Sequence, residues 1–458
     1  MLRCGIPVPA YFRNLGISKV PLLMCAVVLC SLAGAPGKGK PTDFQFTKID
    51  LKLLADSDAL DHHIEEKGLL YPDRDLGAYV QGIATRLLGG KPAPERVQYN
   101  VRVLRDPVVN AFASANGSIY LTTGVLAALD NEADLASIIA REIAHVANRH
   151  PYRENRISRQ QAVARNLTVA SLRLGGGVYA QVGLYLVRNE VAAWIYSNGY
   201  AEAMEKVADQ DELNLMTTAG YDPESAPRTF ETLDEKLEVE LATTTYRNHD
   251  KIQKRIKALR ELIGSGAHAN SGSAASAGDY LTHVSAAVCD NIAADLESRR
   301  ARTALARAQR LVSWQPARAE YLTLLADAYR ALGAKTAEPT PKELTYSGNI
   351  DRRDLEQKTT PEEEQAKWLA QSGGPEVKAA HEAAAEKFYL EAVGRDTTFA
   401  VAHRGLGMLY QQQSKNDAAV REYRKYLECA PANAIDRLRF ERRIEDLSKA
   451  PVSNPRTI

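Results

Sequence analysis

The chain has 458 residues, of which 45% are hydrophobic and 25% are charged. A chain of this length is too long for one compact core, so two or three domains are expected. Its 58 basic and 57 acidic residues give a net charge of +1, which argues against a nucleic-acid-binding protein because such proteins usually present a clearly basic face.

Residues 1–33 have the pattern of a secretory signal peptide. Arg3, Arg13 and Lys19 precede an apolar run, Val20 to Leu32, and the small residues Ala33–Ala35 follow it. The apolar run is short for a membrane span. We expect an exported protein of the periplasm or envelope, with an uncleaved anchor or a lipid-modified leader cysteine as the alternatives.

Two cysteines, Cys289 and Cys429, remain after the predicted leader. Export permits a disulfide between them, and two free thiols are equally compatible with the sequence. The chain has no Cys-x-x-Cys pair, which argues against a cysteine-rich metal site.

Residues 43–263 are predicted to form one α+β domain. Apolar residues three and four apart predict a helix over Asp75–Leu88, and a stronger helical pattern covers Asn131–His150. Between these helices, Val97–Leu104 and Ser118–Thr122 have the composition of strands. The order of helix, strand, strand, helix predicts a mostly α-helical domain with a small β-sheet.

The rest of the chain is predicted to be an all-α helical repeat domain. A Gly/Ser/Ala/Asn-rich stretch at 264–278 predicts a flexible linker, and 338–374 is a polar insertion. Repeats are predicted at 279–336 and 375–448, with an unrelated helical bundle as the alternative. The clearest unit of 34 residues begins at Ala400, and its small, aromatic and proline positions have the tetratricopeptide pattern: Leu406, Gly407, Tyr410, Ala419, Tyr423 and Pro431. Such repeats usually dock a partner protein.

The second helix of the first domain contains Arg141-Glu142-Ile143-Ala144-His145. A zinc peptidase helix has His-Glu-x-x-His, in which the two imidazoles bind the metal and the carboxylate deprotonates the metal-bound water. Here Arg141 takes the place of the first histidine. By itself, Glu-x-x-His is a weak signal that occurs by chance in amphipathic helices.

The surrounding sequence makes the signal more specific. Residues 110–113 read Asn-Ala-Phe-Ala, a β-prone run ends at Thr123-Gly124, and a Gly-Tyr-Asp-Pro run occupies 220–223. Together with His150, this order resembles the zinc metalloendopeptidases of family 48, the gluzincin-like group of the BepA and HtpX type. The resemblance covers about residues 45 to 262, and the repeat region also looks like the BepA type.

The resemblance implies a zinc site and a catalytic base. Glu142 would be the general base, and His145 would be a zinc ligand. The run from Glu205 to Asp209 matches the family's Glu-x-x-x-Asp motif, so Glu205 would be a further ligand and Asp209 its neighbour. His249, followed by Arg255, resembles a later family motif and would lie in the pocket. The chain departs from the family at Val207, where a Glu is frequent, and at Glu212, where a Gly is frequent.

Arg141 is the departure that bears on the chemistry. A guanidinium offers hydrogen-bond donors only and stays charged. A +1 charge about 4 Å from a +2 ion costs on the order of 8 kcal/mol at an effective dielectric constant near 20, against about 10–16 kcal/mol for structural zinc binding. We therefore expect that zinc is not bound and that Arg141 pairs with Glu205 or Glu142. The alternative is a displaced zinc on His145, Glu205 and His249.

These observations predict an exported pseudopeptidase that binds unfolded or assembling envelope polypeptides, with a protein partner on the repeats, peripheral membrane association and no nucleic acid. An active zinc endopeptidase and a repeat-based scaffold are the alternatives. An apolar segment, Leu174–Ala193, is either mobile near the cleft or a buried helix. A bound peptide is expected to pair with the second strand by main-chain hydrogen bonds, and that strand consists of Ser118, Ile119, Tyr120, Leu121 and Thr122.

Overall fold

The structure is a computed structural model, and it describes residues 44–165, 200–237, 249–267, 277–334 and 374–449. All elements below belong to the second of two compact units, Met1–Gln45 and Phe46–Ile458. The predicted leader, the apolar segment Leu174–Ala193 and most of the predicted linker and polar insertion lie outside the described residues.

Two helices precede the sheet. Helix α1 (Lys48–Glu66) begins with a capping box, in which the side chain of Thr47 accepts from the backbone of Asp50 and the Asp50 carboxylate accepts in return. Helix α2 (Arg74–Leu88) is capped by Asp73 and ends at Gly89, which has a left-handed backbone. Its buried face contains the apolar residues that the spacing singled out, so this helix is confirmed.

The sheet has three strands, β1 (Asn100–Leu104), β2 (Ala111–Ala113) and β3 (Ser118–Thr122), in the order β1-β3-β2. Strand β3 is parallel to β1 and antiparallel to β2. Every residue of β3 is buried. The mostly helical fold with a small sheet is therefore confirmed for the first domain.

The strand order corrects one prediction. Because β3 pairs with β1 on one side and β2 on the other, Ser118–Thr122 has no free edge for an extended peptide. Strand β2 lies at the edge of the sheet among the described residues. Asn110 and Ser114 bond to β3, so in the alternation of an antiparallel ladder the backbone groups of Ala111 and Ala113 point away from it.

The helices that follow the sheet surround the predicted zinc-peptidase helix. Strand β3 leads into α3 (Thr123–Ala128), and the predicted helix is α4, which runs from Glu132 to Ala147 with Asn131 as its N-cap. Residues Ala133 to Val146 are all buried, so α4 is a central core helix. The next helices in chain order are α5 (His150–Arg165), α6 (Glu202–Thr218), α7 (Ser225–Leu237) and α8 (His249–Leu262), which continues into a π-helical turn, Ile263–Ala267.

The C-terminal region is a succession of helices, each packed against the next. The helix that contains Gly407 and the helix that contains Tyr423 approach closely. A methyl group at Gly407 would lie 2.6 Å from the Tyr423 ring. This contact agrees with the small and aromatic positions of the predicted repeat, while the assignment to tetratricopeptide repeats stays a prediction. Cys289 and Cys429 are both free thiols. The helices are α9 (Ala277–Glu297), α10 (Ala301–Trp314), α11 (Ala319–Leu332), α12 (Gly374–Arg395), α13 (Ala400–Gln412), α14 (Asn416–Cys429) and α15 (Arg437–Lys449).

Helix α9 is part of the same hydrophobic core as α4. The buried Asn291 donates to the carbonyl of Thr123 and accepts from its hydroxyl at 3.0 Å. The Tyr280 hydroxyl donates to the carbonyl of Leu126 at 2.7 Å. Buried polar contacts of this kind fix a helix in one orientation, so the first C-terminal helix is anchored on α3. No helix in the described ranges is long and apolar enough to cross a membrane.

Candidate functional site

The site lies between α4 and α6, which pack against each other. Glu205, Asp209 and Glu212 are spaced four and three residues apart and therefore share one face of α6. Helix α4 contributes Arg141 and His145, which are one turn apart on the facing side. The structure thus brings together the residues that the zinc motif predicted, with Arg141 among them.

Arg141 and Glu205 form a buried ion pair. The Nη2 atom of Arg141 donates to Oε2 of Glu205 at 2.7 Å, and the two side chains are 3% and 13% exposed. This is one of the two pairings predicted for Arg141. The same Glu205 oxygen accepts from Nη1 of Arg255 at 2.8 Å, and Arg255 also donates to Asp209. Both guanidinium groups lie against the ring of Phe230, so α4, α6 and α8 are cross-linked by one charged network.

The imidazole of His145 points its Nε2 atom toward Glu205, as a zinc ligand would. Its Nε2 atom lies 3.5 Å from Oε2 of Glu205 and is buried with no hydrogen-bond partner among the described residues. Its Nδ1 atom is 2.9 Å from Nδ1 of His150. The ring of Tyr200 stacks on the His145 imidazole, with 4.1 Å between the ring centroids.

The residues present do not fit a zinc ion. Two ligand atoms on a tetrahedral zinc lie about 3.3 Å apart, so His145 and Glu205 keep a ligand-like separation. The guanidinium of Arg141, however, occupies the cation position beside Glu205 and has no lone pair to offer a metal. Within the described ranges, no group of three or more His, Cys, Asp or Glu side chains could hold a metal ion. The His249 side chain lies outside the described residues, so its place in the pocket stays a prediction.

The charges set the protonation of the site. Burial alone would raise the pKa of Glu205, but Arg141 and Arg255 outweigh burial and hold this pKa well below its usual range. Burial raises the pKa of Glu142, with the charges of His145 and Arg141 acting in the opposite direction. Burial, together with the charges of His145 and Arg153, lowers the pKa of His150 to about 3. The site therefore contains an ionised Glu205 between two arginines and a neutral His150 at neutral pH.

Glu212 is a buried carboxyl behind this network. The hydroxyl of Ser137 donates to its Oε1 at 2.6 Å, while Oε2 is buried without a hydrogen-bond partner in the described part of the chain. Burial, and then the charge of Asp209, raises the pKa of Glu212 to about 8. The folded protein therefore keeps a proton here that the unfolded chain releases above its ordinary pKa of 4.5.

This proton predicts a pH dependence of stability. Because the folded state binds the extra proton, the contribution of Glu212 is full below pH 4.5 and is lost as the pH rises toward 8. Between about pH 5 and pH 8, wild type should lose on the order of a few kcal/mol more unfolding free energy than Glu212→Gln. Denaturant unfolding at both pH values measures the difference, and equal losses in the two proteins would contradict this assignment.

Three residues of the site were given no role by the sequence. Arg255 had only a place in a motif, although it lies between the buried Ile252 and Ile256 on the inward edge of α8, and a basic residue there signals a buried partner. Tyr200 precedes α6 and has no sequence signal that marks its stacking on His145. Glu212 was identified only as a departure from the family's sequence pattern.

Comparison with known proteins finds relatives of the first domain. The sequence pattern described as Peptidase family M48 matches residues 74–263. The chain is 30% identical over 167 residues to the mitochondrial metalloendopeptidase OMA1 of Arabidopsis thaliana, which covers 36% of this chain and 32% of the relative. It is 24% identical over 165 residues to the beta-barrel assembly-enhancing protease of Escherichia coli strain K12, 36% of this chain and 34% of the relative.

A shorter relative matches over most of its length. Metalloprotease LoiP of Escherichia coli strain K12 is 24% identical over 217 residues, which are 47% of this chain and 82% of the relative. By contrast, the chain spans about a third of the length of the Arabidopsis OMA1 and of the Escherichia coli beta-barrel assembly-enhancing protease. The matched residues contain every element from α2 to α8 and the whole Arg141 network. Residues 74–263 are therefore similar to Peptidase family M48 and to the metallopeptidases named above.

Proposed function

We propose that this chain is an exported metallopeptidase-like protein that binds unfolded or assembling envelope polypeptides and does not cleave them. One observation carries the proposal: the Arg141 guanidinium is hydrogen-bonded to Glu205 at the position where the family has a zinc ligand. Zinc is expected for the family and not for this chain. Without the metal there is no activated water for Glu142 to deprotonate.

Peptide binding does not depend on the metal. Strand β2 is an edge strand among the described residues and packs beside α4. Ala111 and Ala113 are only 5% and 7% exposed. Their outward backbone groups are nevertheless the ones of this strand that do not bond to β3, so they are the groups that would form main-chain hydrogen bonds with an extended peptide, whatever its side chains. We therefore move the proposed substrate strand from β3 to β2, and we propose that the helices after α9 dock a protein partner.

The relatives and the leader support the ligand class and the compartment. One relative is named a beta-barrel assembly-enhancing protease, which suggests assembling envelope proteins as the ligands of this chain. The signal-peptide pattern of residues 1–33 supports export to the periplasm or envelope.

An active zinc endopeptidase is the competing function, and the retained Glu142, His145 and Glu205 favour it. Casein and a urea-unfolded β-barrel protein are suitable probes, incubated with the full chain with added zinc or with a chelator. The proposal predicts binding without fragments under both conditions. Fragments that form with zinc and stop with the chelator would establish the endopeptidase instead.

The role of β2 is tested by Ala113→Pro. Proline removes one outward N–H, is tolerated at the edge of a sheet and leaves the ladder to β3 in place. Binding of the unfolded probes should weaken by about fivefold to tenfold, the equivalent of about one hydrogen bond, as measured by fluorescence anisotropy.

Ala113→Ser is the matched control, because it changes the same residue and keeps the N–H group, so its affinity should equal that of wild type. If Ala113→Pro folds normally and binds as tightly as wild type, β2 is not the binding strand. That result would favour a scaffold that acts through its C-terminal helices.

A further inference from the structure

Large apolar side chains are exposed at the beginning of α1 and on the neighbouring turn of α5. Ile49 and Leu51 are each 43% exposed, and Ile157 is 37% exposed. The buried Asp50 pairs with Arg156, accepting from its Nε at 3.0 Å, which places the first turn of α1 beside the turn of α5 that contains Ile157. We call Ile49, Leu51 and Ile157 the apolar end.

Basic residues flank the apolar end. Lys48 and Lys52 are exposed on the same turn of α1, and Arg153 is exposed one turn before Ile157. None of the three forms a salt bridge with a described residue. The acidic residue of this turn, Asp50, is buried and paired with Arg156, and the next acidic residue of α1 is Asp56. The exposed charges at the start of α1 are therefore positive.

Exposed apolar side chains flanked by lysine and arginine that form no salt bridge with a described residue are the features that hold a protein on a bilayer surface. The apolar groups enter the boundary between headgroups and acyl chains, and the basic groups bind anionic headgroups. A folded protein partner would bind the three basic residues through its own carboxylates, whereas a bilayer binds them through anionic headgroups. The three apolar and three basic side chains all belong to one turn region of α1 and the neighbouring part of α5.

We propose that this end of the protein, Ile49, Leu51 and Ile157 with Lys48, Lys52 and Arg153, docks on a lipid bilayer that contains anionic headgroups. The contact is peripheral and uses surface side chains of α1 and α5 only. It is independent of the proposed function, because neither the Arg141 network nor β2 takes part in it.

Vesicle sedimentation of the full chain without its leader tests the proposal. The protein should bind vesicles of phosphatidylglycerol and phosphatidylethanolamine and not vesicles of phosphatidylcholine alone, and 0.5 M salt should weaken the binding because exposed charges are screened. The double variant Ile49→Ser/Leu51→Ser should lose about tenfold in binding. Lys48→Gln and Lys52→Gln should each lose about fivefold.

Leu390→Ser is the matched control, because Leu390 is 50% exposed on α12 and lies in a different element. It should bind the anionic vesicles as wild type does. The proposal is overturned if wild type does not bind them at low salt, if Ile49→Ser/Leu51→Ser binds equally well while retaining its circular dichroism spectrum, or if Leu390→Ser loses as much. Loss of casein binding in the double variant, with vesicle binding intact, would assign the apolar end to polypeptides instead.

Discussion

Arg141→His is expected to restore a metal site, with one zinc bound per chain where wild type binds none. His145 Nε2 and Glu205 Oε2 are already 3.5 Å apart, and a second imidazole one turn away on α4 completes the donor set that the metal prefers. The repulsion of on the order of 8 kcal/mol between the Arg141 guanidinium and the ion disappears with the substitution, while Arg255 still donates to Glu205. Metal analysis by mass spectrometry after dialysis against micromolar zinc measures the result.

Arg141→Gln separates the two effects of this change. It removes the positive charge and provides no imidazole, so it should bind no zinc under the same conditions. One tightly held zinc in wild type would mean that Arg141 is tolerated beside the metal, and the chain would then be an endopeptidase candidate. Zinc in the glutamine variant would show that charge alone excludes the metal.

Glu205→Gln is expected to be the most destabilising single change in the site. Glu205 accepts from Arg141 at 2.7 Å and from Arg255 at 2.8 Å. Removing one partner of a buried ion pair leaves uncompensated charge and costs about 3–5 kcal/mol, and here two guanidinium groups lose their shared partner. Chemical denaturation at neutral pH measures the loss of unfolding free energy.

Glu202→Gln is the matched control on the same helix, because Glu202 is exposed and forms a surface ion pair with Lys206. Its unfolding midpoint should equal that of wild type. The folded pKa of Glu205 is depressed, so its contribution is full above pH 4.5 and is lost as the pH falls through the folded pKa. The difference between wild type and Glu205→Gln should therefore shrink in acid. A difference that grew in acid would contradict the ion-pair interpretation.

Local patterns made much of the first domain predictable. The spacing of Leu76, Val80 and Ile83 predicted α2 within one residue of its observed start, and Ser118–Thr122 is a strand as predicted. Val97–Leu104 is shorter in the structure, where β1 begins at Asn100. The residues of the site followed from two motifs, one with Glu142 and His145 and a later one with Glu205 and Asp209.

The contacts between elements that are distant in the chain could not be predicted from the sequence. A strand's composition does not tell whether it lies at the edge or the centre of a sheet, and so β3 was given the peptide-binding role that its central position prevents. The pairing of Arg255 with Glu205 joins residues 50 positions apart. Local periodicity has no information about such contacts, because they depend on how the helices pack.

The anchoring of α9 on α3 has a consequence for any ligand that contacts both parts of the chain. Because Asn291 and Tyr280 fix α9 to the helix that follows β3, the separation between β2 and the start of the C-terminal helices is set by packed structure. A polypeptide bound at both places must bridge a constant span. The effective concentration of the second bound segment then depends on the length of the polypeptide between its two bound segments. The protein would therefore favour unfolded polypeptides that are long enough to contact both sites at once.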